Sequence, residues 1–294
     1  MATETPPSAL DITFTPPGGL PLGLGCSRLG SVNGATRDEA LGLLDFALDQ
    51  GVRFFDTANI YGQGDSERLL GETLGRRDDC VVCSKAGKHL SLKMQVAAPL
   101  KGVLRGLVRN SGQARRGVSA ARAQPMPMRW DAPFLLNSIE GSLRRLKRER
   151  IEMFMLHSPP AQVLIDGEAV GALETARNAG KIGVIGVSVD GIDAAGAALD
   201  DVRVRALQLP LLPGESAFDP VVRRAACAGV AVIAREILGG PQAVAGAVDP
   251  GGYARDRIAD VIRTAGVSIT LVGTTRVVNL KASIEAARAA GAAQ

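Results

Sequence analysis

Eight short, nearly continuous apolar runs, separated by amphipathic stretches of helical length, recur between Gly19 and Gly273. They are GLPLGLG, VRFFD, CVVCSK, EMFMLH, IGVIGVS, RALQLP, VAVIAR and ITLVG. Regular alternation of strand and helix is the pattern of repeated βα units around a parallel sheet. Runs apolar on both faces suit strands covered by helices on one side and by a barrel interior on the other. Eight such units predict an α/β fold of the (β/α)8 TIM-barrel type. At 294 residues and 46% hydrophobic content the chain can fill one such core. No linker interrupts it, so residues 1–294 are expected to form a single barrel domain with 1–10 as a flexible leader.

The helical stretches carry their own end signals. Thr36 and Glu39 make a capping box ahead of Leu41, Leu44 and Leu48, and Gly51 supplies the stop. Leu135, Ile139 and Leu143 share a helix face, as do Leu280, Ile284 and Ala287. Between Asp11 and Leu22, two short apolar arms flank Pro-Pro-Gly-Gly, which predicts an N-terminal β-hairpin.

One segment breaks the rhythm. Residues 86–130 offer no clean strand, and Pro125 and Pro127 interrupt their end, so a long loop is expected after the third strand. Between Cys80 and Trp130 there are ten Lys or Arg and no Asp or Glu, against 34 basic and 30 acidic residues in the whole chain. The basic surplus therefore belongs to this segment. Its bland reading is a mobile, solvated loop with a charge bias. The sharper one is a lid whose Lys88, Lys93, Arg105, Arg109, Arg115 and Arg116 attract an anionic substrate or cofactor phosphates. Trp130, leaving the loop, is either a wall of the substrate pocket or a surface-packed side chain. Few aromatic platforms and no binding module accompany the cations, which argues against nucleic acid.

Other classes are excluded more directly. The start of the chain has neither a basic nor an apolar signal region, and no run of about 18 uncharged apolar residues follows. A soluble cytoplasmic protein without membrane partners is expected. Cys80 and Cys83 have redox-pair spacing, but residues three apart on a strand point to opposite faces. With two histidines in the chain, no metal site is expected. GLGCSRLG lacks the third glycine of a dinucleotide fingerprint.

The ends of the strands carry the chemistry. Asp56 closes VRFFD, Lys85 CVVCSK, His157 EMFMLH and Ser188 IGVIGVS, while Gln208 lies within RALQLP. In a parallel barrel these ends converge on the face where active sites of this architecture lie. Tyr61 follows Asp56 by five residues, far enough to swing back over the mouth. A phenol with a pKa near 10 needs a cation that stabilises its phenolate before it can exchange protons at neutral pH. Lys85 can be that cation, Asp56 can hold it, and His157 can donate to a substrate oxygen. These four include no strong nucleophile, electron sink or metal, so the reducing equivalent must come from a cofactor.

From about Leu20 to Ile284 the chain resembles the aldo-keto reductases. The resemblance rests on FFDTANIYGQGDSERLLGETL, CSKAG, SLRRL followed by FMLHSP, GKIGVIGVS and LVGTTRVVNL, in that order. It implies Tyr61 as general acid/base, Lys85 and Asp56 as its tuning pair, and His157 as the group that orients the carbonyl. It further implies that Ser188 and Gln208 hold the nicotinamide carboxamide, and that Gly273, Thr274, Thr275 and Arg276 take the adenosine-side phosphate. Two departures stand out. Val189 occupies the place of an asparagine that contacts the nicotinamide, and Ala282 and Ser283 replace a Glu-Asn pair at the adenine end. Thr274 and Arg276 can bind a 2′-phosphate, which favours NADP(H) over NAD(H).

The resulting expectation is an NAD(P)H-dependent oxidoreductase interconverting a small-molecule carbonyl (aldehyde, ketone or sugar) and an alcohol. The alternative, to which Val189, Ala282 and Ser283 lend weight, is a non-catalytic nicotinamide-binding regulatory or interaction subunit on the same barrel. Neither the substrate nor the oligomeric state is legible.

Overall fold

The computed structural model describes residues 19–31, 34–75, 77–90 and 126–292. Eight parallel strands, β1 (Leu22–Gly25), β2 (Phe54–Asp56), β3 (Val81–Ala86), β4 (Ile151–His157), β5 (Ile182–Ser188), β6 (Ala206–Pro210), β7 (Ala231–Arg235) and β8 (Val267–Val272), pair in sequence order. They close into a barrel when Leu22, Gly23 and Leu24 of β1 pair with Thr270, Leu271 and Val272 of β8. All eight strands stand where the apolar runs placed them.

Helices fill the intervals. In chain order they are α1 (Arg37–Asp49), α2 (Asp65–Thr73), α3 (Ala132–Leu146), α4 (Ala161–Asp166), α5 (Glu168–Asn178), α6 (Ile192–Asp200), α7 (Asp219–Cys227), α8 (Gly240–Gly246), α9 (Pro250–Arg263) and α10 (Val277–Gly291). The capping box at α1 is formed: Glu39 N–H donates to Thr36 Oγ1, and Thr36 N–H donates to Glu39 Oε2 at 2.8 Å. Leu135, Ile139 and Leu143 of α3, and Leu280, Ile284 and Ala287 of α10, are buried as their spacing predicted.

Strand parity divides the apolar residues between two cores. Phe54, Cys83, Met153, Met155, Ile233 and Ile269 pack inside the barrel, whereas Phe55, Val82, Phe154, Leu156 and Val232 face the helices. Cys80 and Cys83 fall into different cores, so their spacing does not make a pair. Continuing the inward parity to the carboxyl ends brings Gly25, Asp56, Lys85, His157, Ser188, Gln208, Arg235 and Gly273 to the mouth. The site is a product of this alternation.

The hairpin expected between Asp11 and Leu22 falls largely outside the described residues, as do the leader, most of the 86–130 loop, and Lys93, Arg105, Arg109, Arg115 and Arg116. The two ends of that loop are described, and they pair, although no strand was expected there. Lys88 and Met128 form an antiparallel bridge, His89 N–H donates to Pro127 O at 2.9 Å, and Arg129 N–H donates to Gly87 O at 2.8 Å. The pairing is too short to show alternation, and Gly87 and Pro127 mask it further. Trp130 packs over Gly87, whose φ of 122° and lack of a Cβ admit the indole; a Cβ there would lie 2.0 Å from the ring. Among the described residues no helix is long and apolar enough to cross a membrane.

Candidate active site

The loop after β2 carries Tyr61 back over the mouth because it stays zipped to β3. Thr57 N–H donates to Cys83 O at 2.8 Å and Asn59 N–H to Lys85 O at 3.2 Å, after which Tyr61–Gly64 form a single 3-10 turn. Gly62, Gln63 and Gly64 all have positive φ, and a Cβ at Gly62 would meet Leu29 O at 2.8 Å, so the tight return needs glycine there. Ser66 ties the turn down from below, donating to Cys26 O at 2.9 Å and lying 2.8 Å from Thr57 Oγ1.

Lys85 is fully buried. Its ammonium donates to Asp56 Oδ1 at 2.6 Å and to Thr57 O at 2.9 Å, and it lies 5.2 Å from the centroid of the Tyr61 ring. Burial alone would pull the ammonium pKa down, but the Asp56 carboxylate outweighs it and holds Lys85 above the ordinary lysine value. Lys85 therefore stays charged. The same Asp56 oxygen also accepts from Gln208 Nε2 at 2.7 Å, and Gln208 Oε1 accepts from Ser188 Oγ at 2.9 Å. One chain of hydrogen bonds thus runs from β5 through β6 across the barrel to β2 and β3.

His157 meets Tyr61 edge to face, with ring centroids 5.8 Å apart at 89°. Burial, followed by the charges of Lys85, Lys88 and Arg235, pushes its pKa well below the usual histidine value. The imidazole is neutral at physiological pH. Its buried Nδ1 has no hydrogen-bond partner among the described residues. Tyr61 differs from the simple expectation of a phenol acidified by its lysine. Lys85 does pull the pKa down, but burial pushes it up by more, so the net direction is upward and the group is a phenol at neutral pH.

The structure brings Asp56, Tyr61, Lys85, His157, Ser188 and Gln208 into one cluster. Gly273, Thr274, Thr275 and Arg276 stand apart from it, as the turn between β8 and α10. There Arg276 N–H donates to Thr274 Oγ1 at 3.1 Å, and Arg276 occupies the N-cap of α10 without a side-chain cap. Its guanidinium is exposed and has no partner among the described residues. The free N–H groups and positive end of a helix, with a threonine and an arginine beside them, suit an anion. Between this turn and the polar cluster, Gly25 and Gly273 place no side chain in the mouth; a Cβ on Gly273 would find its nearest neighbour 3.8 Å away. The polar cluster at one end and the α10 turn at the other are chemically suited to the two ends of a phosphate-bearing cofactor, and neither Gly25 nor Gly273 puts a side chain between them.

Arg235, Ser158 and Asp190 at the mouth escaped sequence reasoning, and Lys88 entered it only as one of six cations of a candidate lid. Arg235 closes VAVIAR, and the strand-end rule that selected Lys85 and His157 selects it equally when carried on to the seventh strand. It donates to Val189 O at 2.8 Å and pairs with Asp190 and Glu236. Lys88 donates to Ser158 Oγ at 2.8 Å. Ser158 and Glu236, which directly follow His157 and Arg235, both have positive φ, placing strained backbone where the strands hand over to their loops. No sequence signal marked Ser158 or Asp190, and Lys88 was marked only by the basic surplus of its loop.

A closed (β/α)8 barrel with a polar cluster at the carboxyl ends of its strands defines an α/β-barrel protein of the kind that hosts its chemistry at that mouth. The aldo/keto reductase family profile matches residues 21–272, and the chain belongs to that family. It is 30% identical over 174 residues to the 6-dehydroglucose reductase of Novosphingobium aromaticivorans, a match covering 57% of this chain and 47% of that one. The chain's matches span about half the length of the relatives it resembles. A solved aldo-keto reductase structure from Pseudomonas aeruginosa superposes with a TM-score of 0.72 at 25% identity, covering 92% of this chain and 90% of that one. An aldo/keto reductase from Klebsiella pneumoniae, solved in complex with NADP and acetate, gives a TM-score of 0.67 at 21% identity over 91% of this chain and 85% of that one.

Proposed function

We propose that this chain interconverts a small-molecule carbonyl compound and an alcohol by hydride transfer, with Tyr61 as general acid/base. The observation that carries this reading is the meeting of three groups in one mouth: the Tyr61 phenol, the Lys85 ammonium held by Asp56, and the neutral His157 imidazole. Bound nicotinamide cofactor supplies the hydride, a reducing equivalent that none of these side chains carries. In the reducing direction the Tyr61 hydroxyl gives its proton to the carbonyl oxygen as negative charge develops there. Lys85 stabilises the phenolate left behind, and Asp56 keeps Lys85 charged and fixed. His157, neutral, donates an N–H to the same oxygen and orients it.

Ser188 and Gln208 are assigned to the carboxamide of the cofactor, and Gly273 to Arg276 to its adenosine-side phosphate. Arg276, exposed and without a side-chain partner among the described residues, favours NADP(H) over NAD(H), and the Klebsiella pneumoniae structure is of a barrel of this shape with NADP bound. The test is a panel of aldehydes, ketones, sugars and secondary alcohols followed by nicotinamide absorbance. Tyr61→Phe is expected to abolish turnover while leaving cofactor affinity largely unchanged, because the hydroxyl acts on substrate oxygen in the transition state. Retained turnover in that variant would overturn the assignment. Cofactor binding without turnover of any panel member would instead support a non-catalytic nicotinamide-binding subunit.

A further inference from the structure

Lys88 stands at the edge of the mouth, three residues beyond Lys85, and two independent contacts fix it there. Its main chain bridges Met128 across the base of the long loop, and its ammonium donates to the hydroxyl of Ser158, the residue directly after His157. An ammonium carries three donors. Ser158 takes one of them, and the nearest carboxylate, Asp190 Oδ2, lies 3.8 Å away, beyond hydrogen-bonding distance. No other described residue accepts from it. Arg235, the second rim cation, is already committed to Val189 O, Asp190 and Glu236.

The Lys88 side chain is 21% exposed, so it is partly stripped of water without being enclosed. Burial pulls its pKa below the ordinary lysine value. It also lies close enough to His157 for its charge to help keep that imidazole neutral. A half-desolvated ammonium with two donors that no described residue accepts, next to the group assigned to orient the carbonyl, is a receptor for negative charge on the substrate.

We propose that Lys88 binds an anionic substituent, a carboxylate or a phosphate, carried by the carbonyl substrate, so that the site favours acidic aldehydes and ketones over neutral ones. This rests on the hydride-transfer reading above. Binding exchanges the long Lys88–Asp190 contact for a charge-assisted hydrogen bond, while Ser158 keeps the ammonium aimed.

The experiment compares kcat/KM for para-carboxybenzaldehyde with para-nitrobenzaldehyde, and for glyceraldehyde phosphate with glyceraldehyde, in the wild type, Lys88→Met and Lys88→Arg. The wild type should prefer the anionic member of at least one pair, and which pair responds separates carboxylate from phosphate recognition. Lys88→Met should lower that preference by about tenfold, chiefly through KM, and Lys88→Arg should retain most of it. An unchanged preference in Lys88→Met, or a wild type indifferent to charge in both pairs, overturns the proposal. Turnover of the neutral aldehydes without charge preference removes the role of Lys88 alone, whereas no turnover of any aldehyde removes the hydride-transfer reading with it. Thermal melting by circular dichroism shows whether Lys88→Met folds. If it does not, rising ionic strength must erode the wild-type preference, and a preference indifferent to salt overturns the assignment.

Discussion

Asp56 is the hinge of the site at the scale of single residues. One of its oxygens accepts from both Lys85 and Gln208, and the Lys85 ammonium is fully enclosed. Asp56→Ala leaves that ammonium without its counter-charge, and the expected loss is about 3–5 kcal/mol of unfolding free energy by urea denaturation. Adding Lys85→Met removes the orphaned charge, so the double variant should recover much of the stability and none of the turnover. A double variant no more stable than Asp56→Ala would show that the pair is not the source of the loss. His157 makes a prediction about pH. Its folded-state pKa is depressed, so below about pH 6.5 the unfolded chain binds a proton that the folded one refuses. Its contribution to stability is complete above that pH and is lost as the solution is acidified. Unfolding free energy should fall as the pH drops below about 6.5, and His157→Gln should flatten the slope there. Tyr61, whose pKa is raised, adds no limb near neutrality; reduction should weaken only at alkaline pH, where the phenol loses its proton.

The turn from β8 into α10 carries the cofactor preference at the scale of elements. Arg276 is exposed and, among the described residues, anchored only through its main chain, so Arg276→Ala should cost little stability. It should weaken NADP(H) binding by about tenfold and NAD(H) binding far less, measured by fluorescence titration of each cofactor. Equal losses for both would place the 2′-phosphate elsewhere. Elements were also the scale at which the sequence spoke most clearly, because strands covered on both faces write themselves as apolar runs and their last residues mark the mouth. Asp56, Lys85, His157, Ser188 and Gln208 were readable for that reason, and Arg235 was equally readable. Lys88 was readable only as one cation of a basic loop, and Ser158 not at all. Both lie past a strand end, where position depends on a three-residue pairing across the neck of a long loop and on a positive φ, neither of which has a periodicity. The net direction of the Tyr61 pKa was hidden as well, since burial of a loop residue follows from how the chain returns and not from its spacing.

The whole molecule depends on a closure made between distant parts of the chain, β1 against β8. The proposed cofactor slot runs over that seam, from the polar cluster past Gly25 and Gly273 to the start of α10. A ligand lying there touches the first and last strands together and binds only the closed barrel, so it should stabilise the folded state by mass action, about 2.7 kcal/mol at a hundredfold excess over Kd. Thermal melting should therefore rise with NADP(H), and less with NAD(H) at equal concentration. Tyr61→Phe should show the same rise, because the phenol is assigned to the substrate oxygen and not to cofactor affinity. Arg276→Ala should lose most of the NADP(H) increment. This separates binding from turnover at the level of the intact protein: a rise that survives in Tyr61→Phe and shrinks in Arg276→Ala places the cofactor along the seam, whereas a rise insensitive to Arg276 places it somewhere else.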